Sequence, residues 1–346
     1  MRTISHERVR NCLTVARDVA QDHLIVDCHV HATDVVSGIR PNPYEPEAAG
    51  SVSERSPPAP LIGQIRELEP QDFGRISRTV RNRTSELLFR RAYQDLGPSN
   101  LIAEMSAAHV GAALLLPVGP INTGVDDQLR FLERCRSYDK RMHLAFSVSG
   151  IVATEDIGDT ISAAVTDYDV RALKVHPNLS AIDIRTSEGI ARIETLLQSA
   201  ARFDLPVIVH GGSSPILAGS DAADFSILDN LRRIDWSGPG TSVILAHCGL
   251  YGIDEGEIDS EFQKLDKLLL DHPEMLVDTS GLSSRILIDV LQRISLSRVL
   301  FGSDALYVPM WRAMAILIHA LDHVGHDSRT ALTTVASVTP RSVFRL

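Results

Sequence analysis

Short apolar, β-branched runs recur along the 346-residue chain, each bounded by turn residues and followed by a stretch of helical length. Eight are present: LIVDCHVHA (24–32), VGAALLLPV (110–118), MHLAFSVS (142–149), VRALKVH (170–176), PVIVH (206–210), SVILAH (242–247), MLVDTS (275–280) and RVLFGSD (298–304). Most are continuously apolar rather than alternating, the pattern of parallel strands covered on both faces. Between them, 186–203 places Ile190, Ile193, Leu196, Leu197 and Ala200 at helical spacing, and 126–138 does the same with Leu129, Leu132 and Cys135. A further helix is expected over 5–21, plugging or flanking the strands. Nearly even spacing of eight units predicts an α/β fold, a (β/α)8 TIM barrel, with a doubly wound open sheet as the alternative. No G-x-G-x-x-G follows any run, which weighs against the nucleotide-binding form of the open sheet.

The first interval breaks the spacing. Residues 41–60, PNPYEPEAAGSVSERSPPAP, read as loop, and 61–96 read as helical again. The chain is therefore expected to be one domain, 1–346, with an insertion or cap over 35–99 on the barrel's active face. Arg75, Arg78, Arg81, Arg83, Arg90 and Arg91 make that insertion basic. They read first as a solvated helical face; alternatively one or two, with Arg81 and Arg83 as the substrate candidates, reach an anionic substrate.

Charge narrows the ligand class. Lys plus Arg total 34 against 44 Asp plus Glu, a net charge of -10, so the field repels nucleic acid and anionic membrane and favours a small-molecule substrate. No apolar stretch approaches the roughly 20 residues of a membrane span, and the charged N-terminus does not read as a signal peptide, so a cytoplasmic protein is expected. Cys12, Cys28, Cys135 and Cys248 form no close pair, which argues against both a disulfide framework and a Cys-rich zinc site. A homodimer is compatible with the sequence, though no residue demands one.

Polar residues collect at the C-terminal ends of the apolar runs, where a parallel barrel presents its active site. His29 and His31, two apart on one strand, point to the same side, with Cys28 and Val30 facing the helices. Asp27 shares the histidines' parity one step deeper and is placed to hold a ligand histidine. His210, His247 and Asp304 end the fifth, sixth and eighth runs. Imidazoles with one carboxylate are a divalent transition-metal set with positions left open for water and substrate. Asp278, ending the seventh run, is read as a helix cap in preference to a residue that orients a ligand. Ser280 and Ser303 read as turn residues.

VDCHVH on strand one, Lys174 in ALKVHP on strand four, His210, His247 and the GSD that ends at Asp304 together resemble the amidohydrolase superfamily, most closely its amidohydrolase-related branch of metal-dependent TIM-barrel hydrolases. The resemblance implies that His29, His31 and Asp304 bind a metal and that His210 completes a mononuclear site, with His247 near the attacking water or substrate. Zinc is the preferred ion, with manganese or iron as alternatives. The binuclear variant gives His210 and His247 a second metal bridged by carboxylated Lys174; unmodified Lys174, the preferred form, would fix a substrate carboxylate or carbonyl oxygen. His176, nearer the mouth, is a substrate candidate. The implied reaction is hydrolysis of an amide, lactone or ester by metal-activated water, with Asp304 as proton shuttle and His247 and Lys174 stabilising negative charge. Non-oxidative decarboxylation, or hydration of an unsaturated carboxylate, is the alternative on the same site. A barrel that binds without catalysing is the third.

Overall fold

The computed structural model describes residues 6–31, 98–117, 125–214, 217, 219–237, 240–253, 255–305 and 308–346. Eight strands form one parallel sheet in sequential order: β1 (Val26–Val30), β2 (Ala112–Leu115), β3 (Met142–Phe146), β4 (Val170–Val175), β5 (Val207–Val209), β6 (Val243–Leu245), β7 (Leu276–Asp278) and β8 (Val299–Leu300). Backbone bonds then join the stretch after β8 to β1: Cys28 N donates to Phe301 O at 3.0 Å, Asp304 N to His29 O at 2.9 Å and His31 N to Ala305 O at 2.9 Å. The sheet closes on itself, so the open doubly wound arrangement is excluded. Most of the expected insertion at 35–99, Arg81 and Arg83 included, lies outside the described residues.

The strands are shorter than the apolar runs that announced them, because the polar end of each run leaves the ladder. β6 stops at Leu245, and His247 and Cys248 lie beyond it with φ of 56° and 52°. Such left-handed backbone is costly for residues with a Cβ, on the order of 1–3 kcal/mol each, and persists only where surrounding contacts hold it. Asp304, with φ of 63°, is a third such residue.

Two apolar layers explain the closure. Val30, Leu115, Leu144, Leu173, Val209, Leu245, Val277 and Val299 pack outward against the helices, among them α1 (His6–Asp22), α2 (Pro98–Ala107), α3 (Val125–Tyr138), α4 (Ile157–Asp167) and α5 (Ser187–Ala201). Inside, Cys28, Leu114, Ala145, Ala172, Ile208, Ile244 and Leu300 form a second cluster, with Leu276 against it, so every strand contributes to a filled interior. Cys28 therefore faces inward, against expectation: the β1–β2 register shifts between Asp27 and Val30, and this irregularity breaks the strict alternation. The first helix flanks the barrel, packing on the helix Met310–His323 with an ion pair between Arg8 and Asp322. The interior is filled instead from the C-terminal helix, Thr339–Phe344, by Phe344.

Candidate metal centre

The inward turn at the end of β1 sets His29 and His31 edge to face, ring centroids 5.1 Å apart. Asp304, drawn to β1 by its backbone bond to His29, places Oδ1 3.2 Å from His31 Nε2 and 3.7 Å from His29 Nε2. Each ring's other nitrogen is committed: His29 Nδ1 lies 2.8 Å from Asp278 Oδ2, and His31 Nδ1 2.9 Å from the Leu116 carbonyl. Carboxylates and carbonyls only accept, so each Nδ1 carries the proton, and in the neutral rings both Nε2 lone pairs face the carboxylate. Acceptors directed at one another in a buried space call for a donor or a cation: Lys174 Nζ, 3.4 Å from His29 Nε2, supplies one donor, and a metal ion would satisfy all three. The donor set, two Nε2 atoms and one carboxylate oxygen with bonded second nitrogens, fits a divalent metal.

Asp278 holds this arrangement from behind. Besides His29, it takes the backbone N–H of His247 at 2.9 Å and of Ser280 at 3.1 Å on Oδ1, and the Ser280 hydroxyl donates to the same oxygen. Its carbonyl accepts from Cys248 Sγ, so one aspartate secures the left-handed turn that carries His247. Asp278 thus orients a ligand candidate and caps no helix; the following helix, Ser284–Arg293, is capped by Ser283. Ser280 is more than a turn residue, its Oγ lying 3.0 Å from His29 Nδ1 and 2.9 Å from His247 Nδ1. His29, His247 and Asp278 also converge closely enough to resemble a second metal group, but their facing atoms are already bonded to one another or to Ser280. Asp27 does not reach a ligand ring: its Oδ1 takes the backbone N–H of His29 at 3.1 Å and of Ser303 at 3.0 Å, tying β1 to the end of β8.

His247 Nδ1 lies 2.9 Å from the Ser280 carbonyl, which leaves its Nε2 as the lone pair. Its ring stands 4.8 Å from His29 and 4.9 Å from His210. His210 stacks on His176 at 3.8 Å, nearly parallel, and its buried Nε2 has no hydrogen-bond partner among the described residues. Neither is within the close group formed by His29, His31 and Asp304. Lys174 is buried with Nζ 3.4 Å from His29 Nε2. Gly302 makes the crowding possible: a Cβ there would lie 2.8 Å from the Cβ of His29.

Burial, then the Lys174 charge, pushes the His29 pKa down to about 3; burial with neighbouring charges also lowers those of His176 and His210, and burial lowers His247 against the pull of Asp304 and Asp278. Burial lowers Lys174 to about 8, against the pull of Asp278 and Asp304. The two carboxylates go the other way. Burial works to raise them, but for Asp278 the His29 ring, which donates from Nδ1, and for Asp304 the neighbouring imidazoles, His31 first, outweigh it and hold both below the usual range. Neutral imidazoles beside ionised carboxylates are the protonation state that ligation needs.

Tyr251 does not stand out in the sequence, yet its ring lies 4.5 Å from His247 and 5.5 Å from His210. The only signal was its place four residues beyond His247.

A family model, amidohydrolase, matches residues 26–346, from the first strand to the last residue. The chain belongs to the amidohydrolase family. This amidohydrolase is similar in fold to a zinc-bound amidohydrolase from Burkholderia multivorans, at 13% identity and a TM-score of 0.57, over 93% of this chain and 99% of that one. It is also similar to 5-carboxyvanillate decarboxylase from Sphingomonas paucimobilis, at 13% identity and TM-score 0.55 over 94% and 100% of the two chains. 4-Oxalomesaconate hydratase from Rhodopseudomonas palustris gives 15% identity and TM-score 0.55 over 93% and 96%. At such identities the likeness is one of fold. No curated protein matches the chain by sequence. Among the described residues no helix is long and apolar enough to cross a membrane.

Proposed function

We propose that the chain is a metal-dependent hydrolase cleaving an amide, lactone or ester bond of a small molecule. The carrying observation is the convergence of His29 Nε2, His31 Nε2 and Asp304 Oδ1, with buried Lys174 beside them. A bound divalent ion, zinc by preference, supplies water ionised near neutral pH, roughly pH 7, and a Lewis acid for the substrate carbonyl. His29 and His31 hold the ion with Asp304, and His210, whose Nε2 has no partner among the described residues, is the fourth candidate. Asp304 takes the proton of the attacking water and returns it to the leaving group. Lys174, through Nζ, faces the charge that develops on the carbonyl oxygen, and His247, whose Nε2 carries a lone pair, accepts a hydrogen bond from the attacking water or the substrate. His176 contributes to the substrate side of the pocket.

Unmodified Lys174 suits the charge balance, because its ammonium lies in the field of two buried carboxylates, Asp278 and Asp304. Carboxylating it would add a third anion and call for a second metal. The same cation supports the second reading, decarboxylation or hydration of an unsaturated carboxylate, since it can grip a substrate carboxylate.

Elemental analysis of gently purified wild type, His29→Ala and Lys174→Ala tests the centre. About one metal per chain, lost in His29→Ala and kept in Lys174→Ala, is the expected result. A second, Lys174-dependent equivalent would replace it with the binuclear form, and no metal even after reconstitution would sink the catalytic reading. Screening lactones, esters and amides for acid release, against unsaturated carboxylates for carbon dioxide release or hydration, then separates the two reactions.

A further inference from the structure

Tyr251 is fixed with unusual firmness for a loop residue. Its carbonyl accepts from Ser213 N at 2.8 Å and its own N–H reaches Gly211 O at 3.4 Å, so the loop after β6 is stitched to the loop after β5. Gly212 permits the contact: its φ is 114°, and a Cβ there would lie 2.3 Å from the Tyr251 carbonyl oxygen. Ser226 Oγ braces the same place, donating to the Gly212 carbonyl at 2.9 Å and bonding to Asn178 in the loop after β4. Three loops of the active face thus converge on one backbone position.

The side chain is directed inward from that anchor. Its ring tilts over His247 and meets His210 edge on. At Gly281, whose side of the chain is open for want of a side chain, the position a Cβ would take lies 3.1 Å from Asp304 Oδ2 and 3.2 Å from Tyr251 Cε2. Carboxylate and phenol ring therefore border one narrow gap. The phenol, with an ordinary pKa of about 10, is a hydrogen-bond donor at neutral pH. Packing alone would be served by phenylalanine; a hydroxyl on a partly buried ring held this firmly against His247 and His210 is placed to meet a substrate.

We propose that Tyr251 is a substrate-contacting residue whose hydroxyl donates a hydrogen bond to an oxygen of the substrate beside His247 and Asp304. This rests on the metal-centre reading above. It adds to that centre a neutral donor that does not compete for the metal, suited to a carbonyl or carboxylate oxygen as charge accumulates on it.

The test is a titration of metal-reconstituted wild type and Tyr251→Phe with acetohydroxamate, a probe that presents a carbonyl and a hydroxamate oxygen. Metal content and melting temperature are measured on the same samples. Tyr251→Phe keeps the ring on His247 and His210, so metal content and melting temperature should match the wild type, while acetohydroxamate binds about 10- to 100-fold more weakly. Equal affinity for the two proteins, with metal intact in both, overturns the role of Tyr251 and leaves the metal centre standing. Failure of the metal-loaded wild type to bind the probe at millimolar concentration also overturns the Tyr251 proposal, because no substrate space then adjoins the phenol, whereas no metal in the reconstituted wild type overturns the centre itself. Once a substrate is found, the variant should lower kcat with the metal content unchanged.

Discussion

Asp278 supports the centre with every acceptor it has: Oδ2 for His29, Oδ1 for the backbone of His247 and Ser280, and its carbonyl for Cys248. Asp278→Asn would keep an acceptor for the turn but set an amide N–H against the His29 Nδ1 proton. The ring must then flip or lose its bond, and metal affinity should fall about 10- to 100-fold with little loss of fold, read by competition with a chromophoric chelator. Residues of this kind are the hard ones to assign from sequence. His29, His31, His247 and Asp304 stand out because each is polar at the end of an apolar run, and Lys174 because it lies inside one; both placements need an inward-facing reason. Asp278 stood out equally, but whether a carboxylate caps a turn or grips an imidazole two strands away depends on how the barrel closes. Asp27 was misread for the matching cause: parity was counted along a regular strand, and β1 is irregular at that step.

At the scale of elements, the eight strands and the helices at Val125–Tyr138 and Ser187–Ala201 were legible because burial on both faces and amphipathic spacing are local properties. Strand ends were not, since they depend on where backbone bonds to neighbours give way to the loops of the site. The seam between β1 and β8 shows what local patterns conceal. Gly302 there allows the close approach of His29, and Gly302→Ala should displace the ring: a marked loss of bound metal by elemental analysis, with the far-ultraviolet circular dichroism of the wild type retained. Asp27 spans the same seam with Oδ2 buried and without a partner among the described residues. Burial raises its pKa to about 7, partly offset by hydrogen bonds from Ser303 and His29. Because the native state then holds a proton that the unfolded chain releases, this group costs nothing below pH about 4. Between there and about pH 7 it withdraws roughly 1.4 kcal/mol of stability for each pH unit. In metal-stripped protein, Asp27→Asn should flatten that decline; urea midpoints at pH 5 and pH 8 that fall as steeply as the wild type's would refute it.

The whole molecule divides its tasks between two ends. The polar centre lies beyond the carboxyl ends of the strands, while the inner apolar cluster, with Phe344 packed into it, fills the barrel. Phe344→Ala should therefore cost about 3–5 kcal/mol of unfolding free energy by chemical denaturation, with the metal stoichiometry of the folded protein unchanged. The centre draws its parts from both margins of the sheet: His29 and His31 close the first strand, and Asp304 follows the last. An ion shared by those three side chains would act as a clasp between the beginning and the end of the barrel, shutting the longest loop the topology contains at the seam where the eighth strand has only two residues. Loop closure over so much chain is entropically expensive for the unfolded state to mimic, so the ion's binding energy becomes resistance to opening there. Amide hydrogens of β1 and the stretch after β8 should accordingly exchange much faster once the metal is withdrawn, well before those of β4 and β5 respond.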